Sequence, residues 1–312
     1  MSNMTQTVMI FGGTGFLGSY VVSELARAGF RLNIITRDVI AASHLKTQGD
    51  VGQINLQYGD INKVETYEKL LTQTDIVVNM VGVLFEKGRQ NFDNLHHKAP
   101  AKLAELASKN GVKKFVHISA LGVDKATTSK YAKSKLQGEN AILQAFPNAT
   151  ILRPSVIFGV EDNFYNQFAK MINWFHAAPL IAGGKTKFQP TYVVDVAKAI
   201  VKTCVDDVTS GKIYELGGGE IISFKQILQF IKQMRHSKAL LMPLPACCAK
   251  MIGFANEFLP KPLITRDQVE LLRYDNVVSD NALGYKELGI APHSPSSVVP
   301  QYLQTLHGLT QN

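Results

Sequence analysis

An apolar run followed at once by three spaced glycines constrains this chain more than anything else in it. Residues 8–18 read VMIFGGTGFLG, and the apolar spacing from Phe16 to Ala28 is that of an amphipathic helix. Val8–Phe11 is therefore predicted to be a buried strand, joined to that helix by a turn with no bulky side chain. Gly12 permits the tight turn, Gly15 lets a pyrophosphate approach the main chain, and Gly18 lets helix and strand pack closely. The first turn of the helix would offer free N–H groups and a positive dipole end to the phosphates. A glycine triplet needs a strand before it and a helix after it to mean this, and both are here.

The same alternation continues. Leu32–Thr36, Leu56–Tyr58, Ile76–Met80, Lys114–Ile118 and Thr150–Arg153 read as strands, with helices over Leu95–Lys109 and Tyr131–Ala145. Right-handed crossovers between them imply an α/β fold with a doubly wound parallel sheet of Rossmann type. In the second half, helices are expected over Asn163–Ala177, Ser223–Arg235 (capped by Ser223), Pro245–Phe258 and Thr265–Tyr274. Val194–Val205 is another, with Asp195 as its N-cap or first-turn acid, and Lys212–Leu216 is a late strand.

With 312 residues, 46% of them hydrophobic, the chain can bury one or two substantial cores. A net charge of +8 suits an anionic cofactor, an acidic partner or an anionic membrane surface without choosing among them. The basic residues are scattered, with no aromatic-interleaved stripe, so no nucleic-acid partner is expected. Cys204, Cys247 and Cys248 have no paired spacing, which argues against a disulfide framework and against any metal site. The adjacent pair is expected to pack as small apolar side chains, in a reducing cytosol. The polar residues ahead of the first strand predict no signal peptide. No apolar stretch is long enough for a transmembrane helix, since Pro243, Pro245 and Lys250 interrupt the longest, Ala239–Phe258.

Two further clusters bear on chemistry. The second strand ends Ile35-Thr36-Arg37-Asp38, where an NAD-type site carries Asp or Glu. Arg37 stands where a cation meets the 2′-phosphate of NADP, so NADP(H) is favoured over NAD(H). Asp38 could still reach a ribose hydroxyl; alternatively Arg37 is merely solvated and Asp38 caps the loop. Tyr131 and Lys135 lie at i,i+4 on one helix face. A lysine cation there would lower the phenol pKa, making Tyr131 a general acid/base near neutral pH. The alternative is a surface tyrosine and lysine with no shared role.

With Thr14 inside the glycine turn and Tyr131/Lys135 after the fifth strand, the chain resembles the extended and atypical branches of the short-chain dehydrogenase/reductase superfamily. The resemblance implies a cofactor site built from Gly12, Thr14, Gly15, Phe16, Leu17 and Gly18. It adds Asp60 and Ile61 at the adenine, Val81 and Gly82 along the cleft, and Pro154 and Ser155 of LRPSVIFG beside the nicotinamide. Ser119 would complete a catalytic set with Tyr131 and Lys135. Ala120 falls where many such enzymes carry the hydroxyl that binds the substrate carbonyl, and His96 where an Asn is common. The resemblance also implies a dinucleotide-binding unit at 1–160 and a smaller, partly interleaved C-terminal α/β lobe at 161–312.

Three longer segments narrow the match: SKYAKSKLQGENAILQAFPNATILRPSVIFGVEDNF, KFQPTYVVDVAKAI and PLITRDQVELLRYDNVVSD. They resemble the nucleotide-binding accessory subunits of respiratory complex I and their bacterial relatives. The last, within Pro262–Asp280, is the most discriminating. This likeness implies a tightly held reduced NADP, complex I subunits as partners at the membrane surface, and an accessory or assembly role there or in ubiquinone metabolism. It places the chain in the cytoplasm, peripheral to the inner face of the cell membrane. The competing expectation is an active NADP-dependent reductase, epimerase or dehydratase on a small carbonyl compound or nucleotide sugar.

Overall fold

The computed structural model describes residues 6–88, 90–260 and 262–303. Residues 1–5, most of the polar stretch ahead of the first strand, lie outside the described residues. Seven strands form one parallel sheet: β1 (Thr7–Phe11), β2 (Arg31–Thr36), β3 (Ile54–Tyr58), β4 (Ile76–Asn79), β5 (Lys114–Ile118), β6 (Thr150–Pro154) and β7 (Ile213–Leu216). Their order is β7-β6-β5-β4-β1-β2-β3, with Val8 of β1 in register with both Leu32 and Ile76. The order reverses between β1 and β4, which puts a crevice beyond the carboxyl ends of those strands.

The main helices are α1 (Phe16–Arg27), α2 (Ala99–Lys109), α3 (Lys130–Ala145), α4 (Tyr165–Phe175), α5 (Val193–Val205), α6 (Phe224–Met234), α7 (Ala246–Asn256), α8 (Arg266–Leu271) and α9 (Pro295–Leu303). Successive β1 residues point to opposite faces, so each face needs its own apolar cover. Val21 and Leu25 of α1 and Val196 and Ile200 of α5 cover Val8 and Ile10. Leu103 and Leu106 of α2 and Ile142 of α3 cover Met9 and Phe11. Each such fully buried aliphatic side chain stabilises the fold by about 1.5–3 kcal/mol before entropy is counted. The doubly wound sheet expected from the alternating pattern is what forms.

The second half departs from expectation in places. α4 stops at Phe175, where His176 takes a φ of +49°, and Ala177, the expected last helical residue, instead opens a strand, Ala177–Ile181. It pairs in parallel with Leu240–Leu244. Both are short apolar runs with a proline, which show no alternation to read. A third core packs Phe158, Tyr165, Ile172, Phe188, Phe224 and Leu228. Ser223 caps α6 as expected, within a full capping box, and Thr265 does the same for α8. α5 begins at Val193, so Asp195 is its first-turn acid and not its N-cap. Cys204 is buried, but Cys247 and Cys248 are exposed, contrary to the expectation of packing. The inward stripe of α7 is instead Ala249 and Gly253.

The helix expected over Leu95–Lys109 is divided. Asp93–Lys98 forms a π-helical turn, and α2 starts at Ala99 with Pro100 in its first turn. Pro100 has no N–H to give the His96 carbonyl. α3 crosses so close to that carbonyl that a Cβ on Gly138 would overlap its oxygen. Among the described residues no helix is long and apolar enough to cross a membrane.

Candidate functional site

The glycine turn closes the crevice between β1 and β4. Gly12 has a φ of +81°, and a Cβ on it would lie 2.9 Å from the Met80 carbonyl carbon and 3.1 Å from the Val81 nitrogen. Only glycine combines that backbone conformation with that approach. A Cβ on Gly18 would overlap the Gly12 carbonyl oxygen and lie 2.7 Å from Gly13 Cα, so Gly18 seats α1 against the turn. Gly15 is different: its Cβ would meet only the Gly12 oxygen, at 3.4 Å. No side chain caps α1 and no acid stands in its first turn. The N–H groups of Phe16, Leu17 and Gly18 thus lack a side-chain acceptor, beside an exposed Thr14 and Gly15. That arrangement fits the diphosphate of a dinucleotide.

At the end of β2, Asp38 accepts the Ala41 N–H at 2.9 Å and so caps its own loop. Arg37 is exposed and has no hydrogen bond or ion pair with any described residue. Past β3, Asp60 Oδ1 accepts the Asn62 N–H at 3.0 Å, which fixes the carboxylate, and Ile61 is buried beside it. Past β4, the Val81 N–H donates to Asn79 Oδ1 at 3.1 Å. The Asn79 amide nitrogen therefore faces His117 Nδ1, at 3.2 Å, and donates to it. His117 then carries its hydrogen on Nε2, a buried atom without a hydrogen-bond partner among the described residues.

Lys135 is almost fully buried and donates to the Ile118 carbonyl at 2.9 Å. The acid one turn along α3, Glu139, is taken by Arg153, at 2.6 Å. Burial holds the Lys135 ammonium down to about 8. A Cβ on Gly82 would lie 3.2 Å from Lys135 Nζ, so the small residue at 82 leaves room for the ammonium. His96 accepts the Val83 N–H on Nε2 at 3.0 Å, and hence donates from Nδ1 to Ser134 Oγ at 2.9 Å. Ser134 donates in turn to the Tyr131 carbonyl at 2.8 Å. Burial, with Lys135 nearby, pushes the His96 imidazole down to about 3, so it is a neutral prop at this position.

Tyr131 packs edge-on against the rings of His96 and Phe92, at centroid distances of 5.3 and 5.8 Å. Its hydroxyl has no partner among the described residues. Lys135 does not lower the phenol pKa as expected: burial, and then the Asp267 carboxylate, push it up to about 12. Ser119 Oγ is buried and likewise unpartnered. The Ala120 methyl packs in a small apolar cluster with Val123, Ala126, Ala132, Leu271 and Tyr274.

Two residues that the sequence reading did not name hold this region together. Asp267 of α8 accepts from Ser129 Oγ at 2.8 Å, the Lys130 N–H at 2.7 Å and the Tyr131 N–H at 3.0 Å. It is a carboxylate cap on α3 supplied from the far end of the chain. Asn276 donates to the Leu121 carbonyl at 2.8 Å and accepts the Ser155 hydroxyl at 2.6 Å. Leu121 also donates to the Pro154 carbonyl at 2.9 Å. The only signal in the sequence was that both fall within Pro262–Asp280.

Three comparisons bear on this geometry. The model of a family described as NAD dependent epimerase/dehydratase matches residues 8–217. NADH dehydrogenase (ubiquinone) 1 alpha subcomplex subunit 9, mitochondrial, from Arabidopsis thaliana is 34% identical over 306 residues, covering 94% of this chain and 76% of that one. Its Mus musculus counterpart is 35% identical over 286 residues, covering 91% and 76%. Among solved structures, MoeE5 in complex with UDP-glucose and NAD superposes with a TM-score of 0.73 over 97% of this chain and 99% of that one, at 16% identity. That last likeness is one of fold.

Proposed function

Because this chain belongs to the NAD dependent epimerase/dehydratase family, alongside the subunit 9 relatives, we propose that it keeps a nicotinamide dinucleotide as a resident ligand and acts as an accessory or assembly factor. Its partner would be an NADH:ubiquinone oxidoreductase, or the machinery of ubiquinone metabolism, at the cytoplasmic face of the membrane. The observation that supports this reading is an open glycine turn and an uncapped helix start beside an incomplete acid/base set. In this reading Gly12, Gly15 and the open first turn of α1 receive a diphosphate. Position 120 has no hydroxyl, and the Tyr131 phenol is held at about 12 rather than near neutrality. When bound, the dinucleotide would supply hydride chemistry. In this reading Thr14, Gly15, Phe16, Leu17 and Gly18 hold its phosphates, Asp60 and Ile61 its adenine, and Val81, Gly82, Pro154 and Ser155 line the nicotinamide end. Lys135 has two N–H groups left for ribose hydroxyls. The free Arg37, with Asp38 spent on its own loop, favours the 2′-phosphate of NADP(H). The unit 1–160 carries this site, and 161–312 carries the partner surfaces.

One observation favours the enzymatic alternative. Tyr131, Lys135 and the unpartnered Ser119 Oγ share the end of the crevice where a substrate carbonyl would lie. That reading makes the chain an NADP-dependent reductase, epimerase or dehydratase. Purification from native membranes, with the bound nucleotide identified by mass, tests both. Retained NADP(H), co-purifying oxidoreductase subunits and no turnover with quinones or nucleotide sugars support the accessory role. Turnover that Tyr131→Phe abolishes overturns it.

A further inference from the structure

We infer that α7, the strand Leu240–Leu244 before it and the C-terminal end of α4 form a docking surface for an anionic lipid bilayer. This deepens the membrane-side placement proposed above and rests on it.

The apolar side is unusual for a folded chain. Only Ala249 and Gly253 of α7 are buried, and a Cβ on Gly253 would lie 2.8 Å from the Arg266 nitrogen. α7 therefore rests on α8 by its smallest residues, with Lys250 paired to Glu270 and the Phe254 ring under the Arg266 guanidinium, and turns Met251 and Ile252 outward. Met251 is 74% exposed, and Phe258, just past the helix, is 78% exposed, with Ile252, Phe254 and Leu259 exposed between and beyond them. Leu240 and Met242 are exposed on the preceding strand. The Leu240 N–H donates to the His176 carbonyl at 3.0 Å, which ties that strand to the end of α4, where Trp174 is 75% exposed. Scattered exposed apolar residues need no explanation, but here they recur along one stretch of sequence from the strand through the helix.

Charge selects the occupant. The elements that carry the patch, α4, the strand Leu240–Leu244 and α7, hold Lys170 and Lys250 and no acid, and Glu270 of α8 takes Lys250, at 2.5 Å. Glu257 is paired with Arg266, at 2.7 Å. Lys170, one helical turn before Trp174, and Lys238, two residues before Leu240, are exposed and have no carboxylate partner among the described residues. Protruding apolar side chains flanked by the unpaired cations Lys170 and Lys238 match headgroups over acyl chains. A tryptophan at the rim suits the same boundary.

The test is cosedimentation of the full chain, loaded with NADPH, with vesicles of phosphatidylcholine alone or of equal parts phosphatidylcholine and phosphatidylglycerol. The chain should sediment at least about tenfold more strongly with the anionic vesicles, and high salt should weaken it. Met251→Glu/Phe258→Glu and Lys170→Glu/Lys238→Glu should each lose that binding while keeping the thermal transition and the bound nucleotide. Equal binding to neutral vesicles, or unaltered binding by both variants, overturns the inference. So does a wild type that ignores vesicles while the Met251→Glu/Phe258→Glu variant loses a protein partner in membrane extracts, since the surface then belongs to that protein. Nucleotide retention, read in the same samples, separates failure of this surface from failure of the cofactor reading.

Discussion

The Asp267 carboxylate accepts the backbone N–H of Tyr131 at 3.0 Å, across 136 residues of sequence. One group thus does two things. It closes the first turn of α3, and it places negative charge where it disfavours the Tyr131 phenolate. Burial and then this carboxylate raise the Tyr131 phenol to about 12.

Asp267→Ala should lower the unfolding free energy by about 1–2 kcal/mol through loss of the cap, read as a lower urea midpoint. Asp267→Asn keeps an acceptor but not the charge. It should bring the Tyr131 phenol down from about 12, seen as the difference in absorbance titration between that variant with and without Tyr131→Phe. A phenol unmoved by Asp267→Asn would leave burial as its whole cause.

Much of the sheet was legible because β1 and β4 are apolar on both faces and are bounded by turns. The glycine turn was legible because Gly12 and Gly18 answer local steric demands. The paired strands Ala177–Ile181 and Leu240–Leu244 were not, since LLMPL carries no period of its own and its partner lies some sixty residues back. Asp267 and Asn276 act on backbone groups of another part of the chain, which leave no mark on the residues that receive them. The pKa of Tyr131 was misread because spacing showed the cation on its own helix but neither the burial of the phenol nor the carboxylate arriving from α8.

The burial of Lys135 makes stability depend on pH in a stated direction. Its ordinary pKa is 10.5, and the fold holds it at about 8. Between these values the unfolded chain binds a proton that the folded chain has released, so rising pH favours the fold. The gain across that window is on the order of 3 kcal/mol, lost again as pH falls through 8. Urea unfolding of ligand-free protein from pH 7 to 10 should show this rise in the wild type and not in Lys135→Met. Parallel curves for the two proteins would count against a buried, depressed lysine.

Arg37→Gln should reduce NADPH affinity by about tenfold to a hundredfold, the range for a hydrogen bond to a charged group, and leave NADH affinity unchanged. Calorimetric titration with each nucleotide checks it. Equal losses for both would mean that Arg37 stacks on adenine without reaching a 2′-phosphate.

The glycine turn allows structure and binding to be separated within four residues. Gly18→Ala forces a methyl into the Gly12 carbonyl and the Gly13 backbone, neither of which is the yielding end of a side chain. It should destabilise the ligand-free protein by about 1–3 kcal/mol, as overpacking does. Gly15→Val adds its bulk in the open space over the first turn of α1, where only the Gly12 oxygen lies within 4 Å of the new Cβ. The ligand-free melting temperature should therefore change little, while NADPH binding and its thermal stabilisation disappear. If Gly15→Val instead bound NADPH normally, the diphosphate would have to lie elsewhere, and the open N-terminus of α1 would be a feature of packing rather than of binding.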